Sequence, residues 1–152
     1  MALAMPVQAR DSLGVFGDWG AFRDPQVPRC YAIAQAAPSQ MQRDYQPFAA
    51  VGSWPRRGER NQLHLRLSRA VAPGARITLA LGGQRFELVG GGGDAWSADR
   101  RMDAAIVAAM RGASEMVVSS RDAHGRGFSN SYSLDGAATA MDAATVGCAQ
   151  LK

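Results

Sequence analysis

Along much of the chain, apolar and polar positions alternate with a period of two, which predicts strands with one buried face. Residues 62–68 put Leu63, Leu65 and Leu67 on one side and His64 and Arg66 on the other. The alternation recurs over 76–81 and 84–88, on either side of Gly82-Gly83. A two-glycine break between alternating runs predicts a β-hairpin. A second hairpin is expected where 115–120 and 128–134 flank the polar turn 122–127. Further strands are expected at 15–22, 30–35 and 48–54. The polar breaks 35–47 and 55–61 read as loops.

In two places the period changes to that of a helix. Over 99–111, Met102, Ile106, Ala109 and Met110 share a face, with Ser97 as the expected N-cap and Gly112 just past the end. Over 135–149, Asp135 is the expected cap, and Ala137, Met141, Ala144 and Cys148 form an apolar stripe. That stripe turns Cys148 toward the core, where the first strands, and Cys30 with them, can lie beneath it. Strands, short turns and two helices predict a mainly β, antiparallel sandwich. It forms a single domain over 10–152.

Composition narrows this picture a little. The chain has 152 residues, 47% of them hydrophobic and 20% charged, as in a folded globular domain. No apolar run reaches the roughly 20 residues that a membrane helix needs. The net charge of +4 comes almost wholly from arginine. In a chain also rich in Ala and Gly, that follows base composition as readily as a selected patch, and no nucleic-acid partner is expected. At the start, Val7-Gln8-Ala9 has the small-x-small form of a secretory cleavage site. Residues 1–9 are read as the remnant of a signal peptide, with a mature start near Arg10; the basic region and most of the apolar region of such a peptide are missing, and a chance match is the alternative.

The two cysteines, Cys30 and Cys148, form no CxxC and have no histidine cluster near them, which excludes a zinc site or a thioredoxin motif. In an oxidising compartment they would pair; in a reducing one they would be two buried thiols.

Other candidate chemistry has ordinary explanations beside it. Residues 90–95, four glycines followed by Asp94 and Ala95, match a dinucleotide loop in form. The preceding strand belongs to a hairpin rather than a βαβ unit, so a flexible connector is expected, and no cofactor. His64 and His124 are expected to face solvent without catalytic partners. Asp99 and Asp103 suit the start of a helix. Trp54 with Arg56, Arg57, Arg60, Arg66 and Arg69 is the one candidate surface, suited to anionic lipid or glycan, although Glu59 dilutes it and a solvated face is the plainer alternative.

Two stretches carry a resemblance to a known family. Val15-Phe16-Gly17-Asp18-Trp19 stands ahead of Cys30, and 104–144 reads AAIVAAMRGASEMVVSSRDAHGRGFSNSYSLDGAATAMDAA. The order there is helix, Arg-Gly stop, strand, Gly turn, strand, small residues and a closing helix. In this the chain resembles the invasion-associated locus B family, as a divergent member. The resemblance implies an immunoglobulin-like β-sandwich, a periplasmic or secreted location and no established catalytic residues. Many relatives carry a cysteine pair in mid-domain, where this chain has glycines and Trp96. Cys30–Cys148 would then be this protein's own staple between the two ends of the chain. The expected function is that of an exported, non-catalytic envelope module with an envelope or surface component as partner. The alternatives are electrostatic binding of anionic lipid or glycan through the Arg-rich surface, and an enzyme whose site assembles only in three dimensions.

Overall fold

The structure, a computed structural model, describes residues 10–151. The expected signal-peptide remnant, 1–9, lies outside the described residues. The strands are β1 (Asp11–Phe16), β2 (Trp19–Asp24), β3 (Arg29–Gln35), β4 (Phe48–Trp54), β5 (Glu59–Arg66), β6 (Ile77–Leu81), β7 (Gln84–Gly91), β8 (Asp94–Trp96), β9 (Glu115–Arg121) and β10 (Gly127–Ser133). The helices are α1 (Arg100–Gly112) and α2 (Ala137–Ala149), and a 3-10 turn over Pro55–Arg57 leads into β5.

All ten strands join one open antiparallel sheet in the order β1-β2-β3-β4-β5-β8-β7-β6-β9-β10. The fold class is the one the alternation predicts: mainly β, sandwich-like, with two helices. β7 is shared between two neighbours. Its first half pairs with β6, from Leu81↔Gln84 to Ile77↔Leu88, and its second half with β8, from Val89↔Trp96 to Gly91↔Asp94. On either side of this strand the sheet comes back on itself. The Trp19 indole donates to the Ser133 carbonyl at 2.8 Å, and the Ala37 N–H donates to the Ser131 carbonyl at 2.8 Å. Residues from both ends of the sheet thus share one core, among them Trp19, Leu63, Leu65, Leu79, Met116 and Tyr132, each fully buried.

Both hairpins read from the sequence form. Gly82 and Gly83 both have positive φ, the requirement of the two-residue turn whose twist suits its strands. The 122–127 turn is anchored by the buried Asp122 carboxylate, which accepts the N–H groups of His124 and Arg126. Two segments differ from expectation. Residues 15–22 are a hairpin rather than one strand, because Gly17-Asp18 turns the chain between Phe16 and Trp19. Residues 90–95 are likewise a tight hairpin between β7 and β8 rather than a flexible connector.

The helix ends also shift. Asp99, not Ser97, caps α1, accepting the Met102 N–H at 2.8 Å, and Gly112 is its last residue. α2 is capped at Gly136 rather than Asp135. Its stripe is as expected, with Ala137, Met141, Ala144 and Cys148 buried over β1, β2, β3 and β4. Asp103 has a different task from the one expected at a helix start. It is buried and accepts the Leu63 N–H of β5 at 3.0 Å, tying α1 to the sheet. Asp103→Ala orphans a buried backbone donor and is expected to cost about 1–3 kcal/mol, read as a lowered urea midpoint.

Candidate functional site

Both helices pack on the inner face of the sheet, so the outer face of β1–β5, β8 and β7 carries no helix. Strand register sets a row across it: Val15, Gly20, Ile33, Ala50, His64, Trp96 and Val89. Val15, Val89 and Trp96 are exposed. An exposed apolar row of this kind marks an interaction surface more often than single exposed side chains do.

One end of the row opens into a cleft of about 700 Å³, within the range of small-molecule sites. Val15, Gly20, Phe22, Ile33, Pro47 and Phe48 are among the residues that line it. Its polar groups are few, chiefly Asp18, Gln35 and Gln46. Glycine at position 20 leaves room for the Phe22 ring, from which a Cβ would sit 3.0 Å away.

Beyond Phe48 the same face carries a polar cluster set in aromatic rings. Phe48 meets the His64 imidazole edge-on at 5.3 Å between centroids, and Trp96 stacks on it at 5.3 Å with 10° between planes. His64 Nε2 lies 2.9 Å from Asp94 Oδ1, while Arg66 donates to Asp94 Oδ2 at 2.9 Å. The Arg66 guanidinium lies over the Tyr45 ring at 4.1 Å from its centroid. Gly93 makes room for this, because a Cβ there would meet the Tyr45 ring at 2.7 Å. Gly90 and Gly93 thus leave room for the Asp94 backbone and for Tyr45, with Asp94 beside two residues of β5.

His64 is thus not the free, solvent-facing residue expected from its position on the strand. About a third of its side chain is exposed, and a carboxylate and two aromatic rings hold it. His124 does lie exposed at its hairpin tip. Partial burial pushes the Asp94 carboxyl up, but the bonds from His64 and then Arg66, with their charges, outweigh it and hold the group below the ordinary 3.8. A carboxyl depressed on folding stabilises the native state above its unfolded value, and that contribution fades as pH falls through the lower native value. Arg66→Ala is expected to move the Asp94 carboxyl titration upward, followed by its side-chain carbon shift in NMR.

The Arg-rich candidates do not gather into one surface. Arg56 and Arg57 are exposed on the 3-10 turn. Arg66 is engaged with Asp94, and Arg69, only 16% exposed, pairs with Asp122 at 3.0 Å and more distantly with Asp44. Trp54 folds back over Gly52, where a Cβ would lie 3.2 Å from its ring. Arg60, exposed at the start of β5 just after the 3-10 turn, lines a cleft against α1. The outer cleft and the His64–Asp94–Arg66 cluster had no signature in the sequence. Only the alternation at His64 and Arg66 pointed to a shared exposed face.

Cys30 and Cys148 form a disulfide, with 5.6 Å between their Cα atoms, and no cysteine is free. No helix among the described residues is long and apolar enough to cross a membrane. Comparison of the chain with family models, with curated proteins and with solved structures returns no match.

Proposed function

We propose that this protein is an exported, non-catalytic module of the bacterial envelope, periplasmic or secreted, similar to the invasion-associated locus B family. It binds an envelope or surface component through the outer face of its sheet. The observation that carries the export reading is the disulfide joining Cys30 to Cys148. Such bonds persist in oxidising compartments and are rare in the cytosol. The aromatic outer face and its cleft supply a surface for binding, with few polar groups to fix orientation and much apolar area to bury.

Intact mass of the native protein from its own cells, alkylated without and then with prior reduction, tests this. A chain beginning near Arg10 and alkylated at both cysteines only after reduction supports export. A full-length chain with two freely alkylated thiols removes the envelope reading. For the binding face, Ile33→Asp and Trp96→Ala are expected to abolish retention by isolated envelope fractions while leaving the fold intact by circular dichroism. Unchanged retention in both variants would place the binding surface elsewhere.

A further inference from the structure

Apart from the outer face, a cleft of about 410 Å³ lies between the start of β5 and α1. Arg100, Ala104, Val107, Ala108 and Arg111 recur along α1 at helical spacing and form one wall. The other wall is Gly58, Arg60 and Asn61. Strict alternation from Leu63 and Leu65 would put Arg60 on the outer face with Gln62 and His64. Asn61, with φ of 51°, interrupts the strand, and Arg60 lines the helix-side cleft instead. Asn is among the few non-glycine residues that take this conformation readily.

The lining contains three guanidinium groups and no carboxylate. Arg60 has no ion pair among the described residues. Arg100 pairs with the half-buried Glu59 at 3.4 Å and Arg111 with the exposed Asp142 at 2.6 Å. Surface ion pairs of this kind contribute little to stability, so an anion bound in the cleft competes with them at small cost to the fold. Arg56 and Arg57 on the adjoining turn add to the positive potential. Beneath these charges, Ala104, Val107 and Ala108 make the helix wall apolar. A planar guanidinium binds phosphate or carboxylate oxygens in pairs, and an apolar wall beside it suits a hydrocarbon stem.

We infer that this cleft binds an anionic amphiphile: a phosphate headgroup held by Arg60 with one of the two helix arginines, Arg100 or Arg111, which stand about 16 Å apart along α1, and an alkyl stem laid along Ala104, Val107 and Ala108 between them. The volume equals that of about fourteen waters at ~30 Å³ each, enough for a headgroup and a short stem. The inference does not depend on export or on the outer cleft. Of the arginines in the candidate surface read from the sequence, Arg60 lines this cleft and Arg66 and Arg69 do not.

The test is titration of the oxidised full-length chain with hexyl phosphate at low ionic strength, with inorganic phosphate as the comparison. Saturable binding is expected, at least tenfold tighter for hexyl phosphate than for inorganic phosphate and weakened by added salt. Arg60→Ala and Ala108→Glu, both at exposed positions, are expected to weaken it at least tenfold. Arg85→Ala, on β7, is expected to leave it unchanged. No binding at low salt, no preference for the alkyl compound, or equal effects of Arg85→Ala and Arg60→Ala would overturn the inference. Vesicles containing phosphatidylglycerol identify the source. Loss of co-sedimentation in the same two variants assigns a lipid headgroup, and response of the soluble compound alone assigns a free alkyl phosphate; either result supports the site.

Discussion

Replacing Cys30 and Cys148 together by alanine is expected to destabilise the protein by about 5 kcal/mol. The bond spans 118 residues, and in the chain-entropy model a loop of that length restrains the unfolded chain by about this amount. The melting temperature should fall by roughly 10–20 °C at the ~2–4 °C per kcal/mol usual for this size. Local packing offers little to replace the bond. Cys30, Ala144 and Cys148 form a small cluster of their own with Leu151, separate from the main core. Apart from Met141, the buried face of α2 is built of small residues, Ala137, Ala140, Ala144, Gly147 and Cys148, so each turn buries little apolar area against β2 and β3. Without the bond, the C-terminal turns of α2 should exchange their amide hydrogens first. Thermal and urea unfolding of the double variant, beside oxidised and reduced wild type, measure the effect. A loss below about 1 kcal/mol would mean that α2 is held by packing alone.

Gly136→Ala is expected to be nearly as severe, for a local reason. Gly136 has φ of 87°, and a Cβ on it would lie 1.8 Å from the Phe16 carbonyl oxygen. Phe16 begins the β1–β2 turn, whose Asp18 N–H donates to the Asp135 carbonyl at 3.0 Å. Neither backbone can move without breaking that joint, so steric overlap adds to the ~1–2 kcal/mol cost of the left-handed conformation. A total of about 4 kcal/mol or more is expected. Gly74→Ala is the control, because Gly74 has a similar φ of 76° and open space around it. It should cost only about 1 kcal/mol. Equal losses in the two variants, measured by urea unfolding, would refute the clash at the joint between the first hairpin and α2.

These two joints bear on binding as well as stability. The disulfide and the Gly136 contact both fasten α2 to the inner face of β1–β3, whose other face carries Val15, Gly20 and Ile33 in the cleft. A variant that loosens either joint should therefore weaken outer-face binding in proportion to its loss of order. The anion cleft on α1 should respond less, since Asp103 holds α1 to β5 independently.

How far the sequence could be read depended on how local each feature is. The 82–83 hairpin, the 122–127 hairpin and the two helix stripes were legible because periodicity and turn chemistry act within a few residues. The 15–22 hairpin was missed because Gly17-Asp18 sits inside an aromatic run that reads as one continuous strand. The 90–93 glycines were misread for a similar reason. Gly90 and Gly91 pair with Ala95 and Asp94 across the short β7–β8 hairpin, and the small size of Gly93 matters because of Tyr45, far away in the chain. His64 and Asp94 are 30 residues apart and meet only because β8 pairs with β5. Arg60 and Arg111 share a cleft only because α1 docks beside β5 and Asn61 turns Arg60 toward it.

By itself, then, the sequence determined which segments are strands or helices, which side of most of them is apolar, and that Cys148 faces inward. Each of these follows from the spacing of side chains along a single element. Only the tertiary structure decided which strands are neighbours, how one sheet closes over its own core, and which polar residues the outer face and the α1 cleft bring together. Those outcomes depend on contacts between residues far apart in the chain, where many pairings satisfy the same local pattern and packing of the whole core selects one.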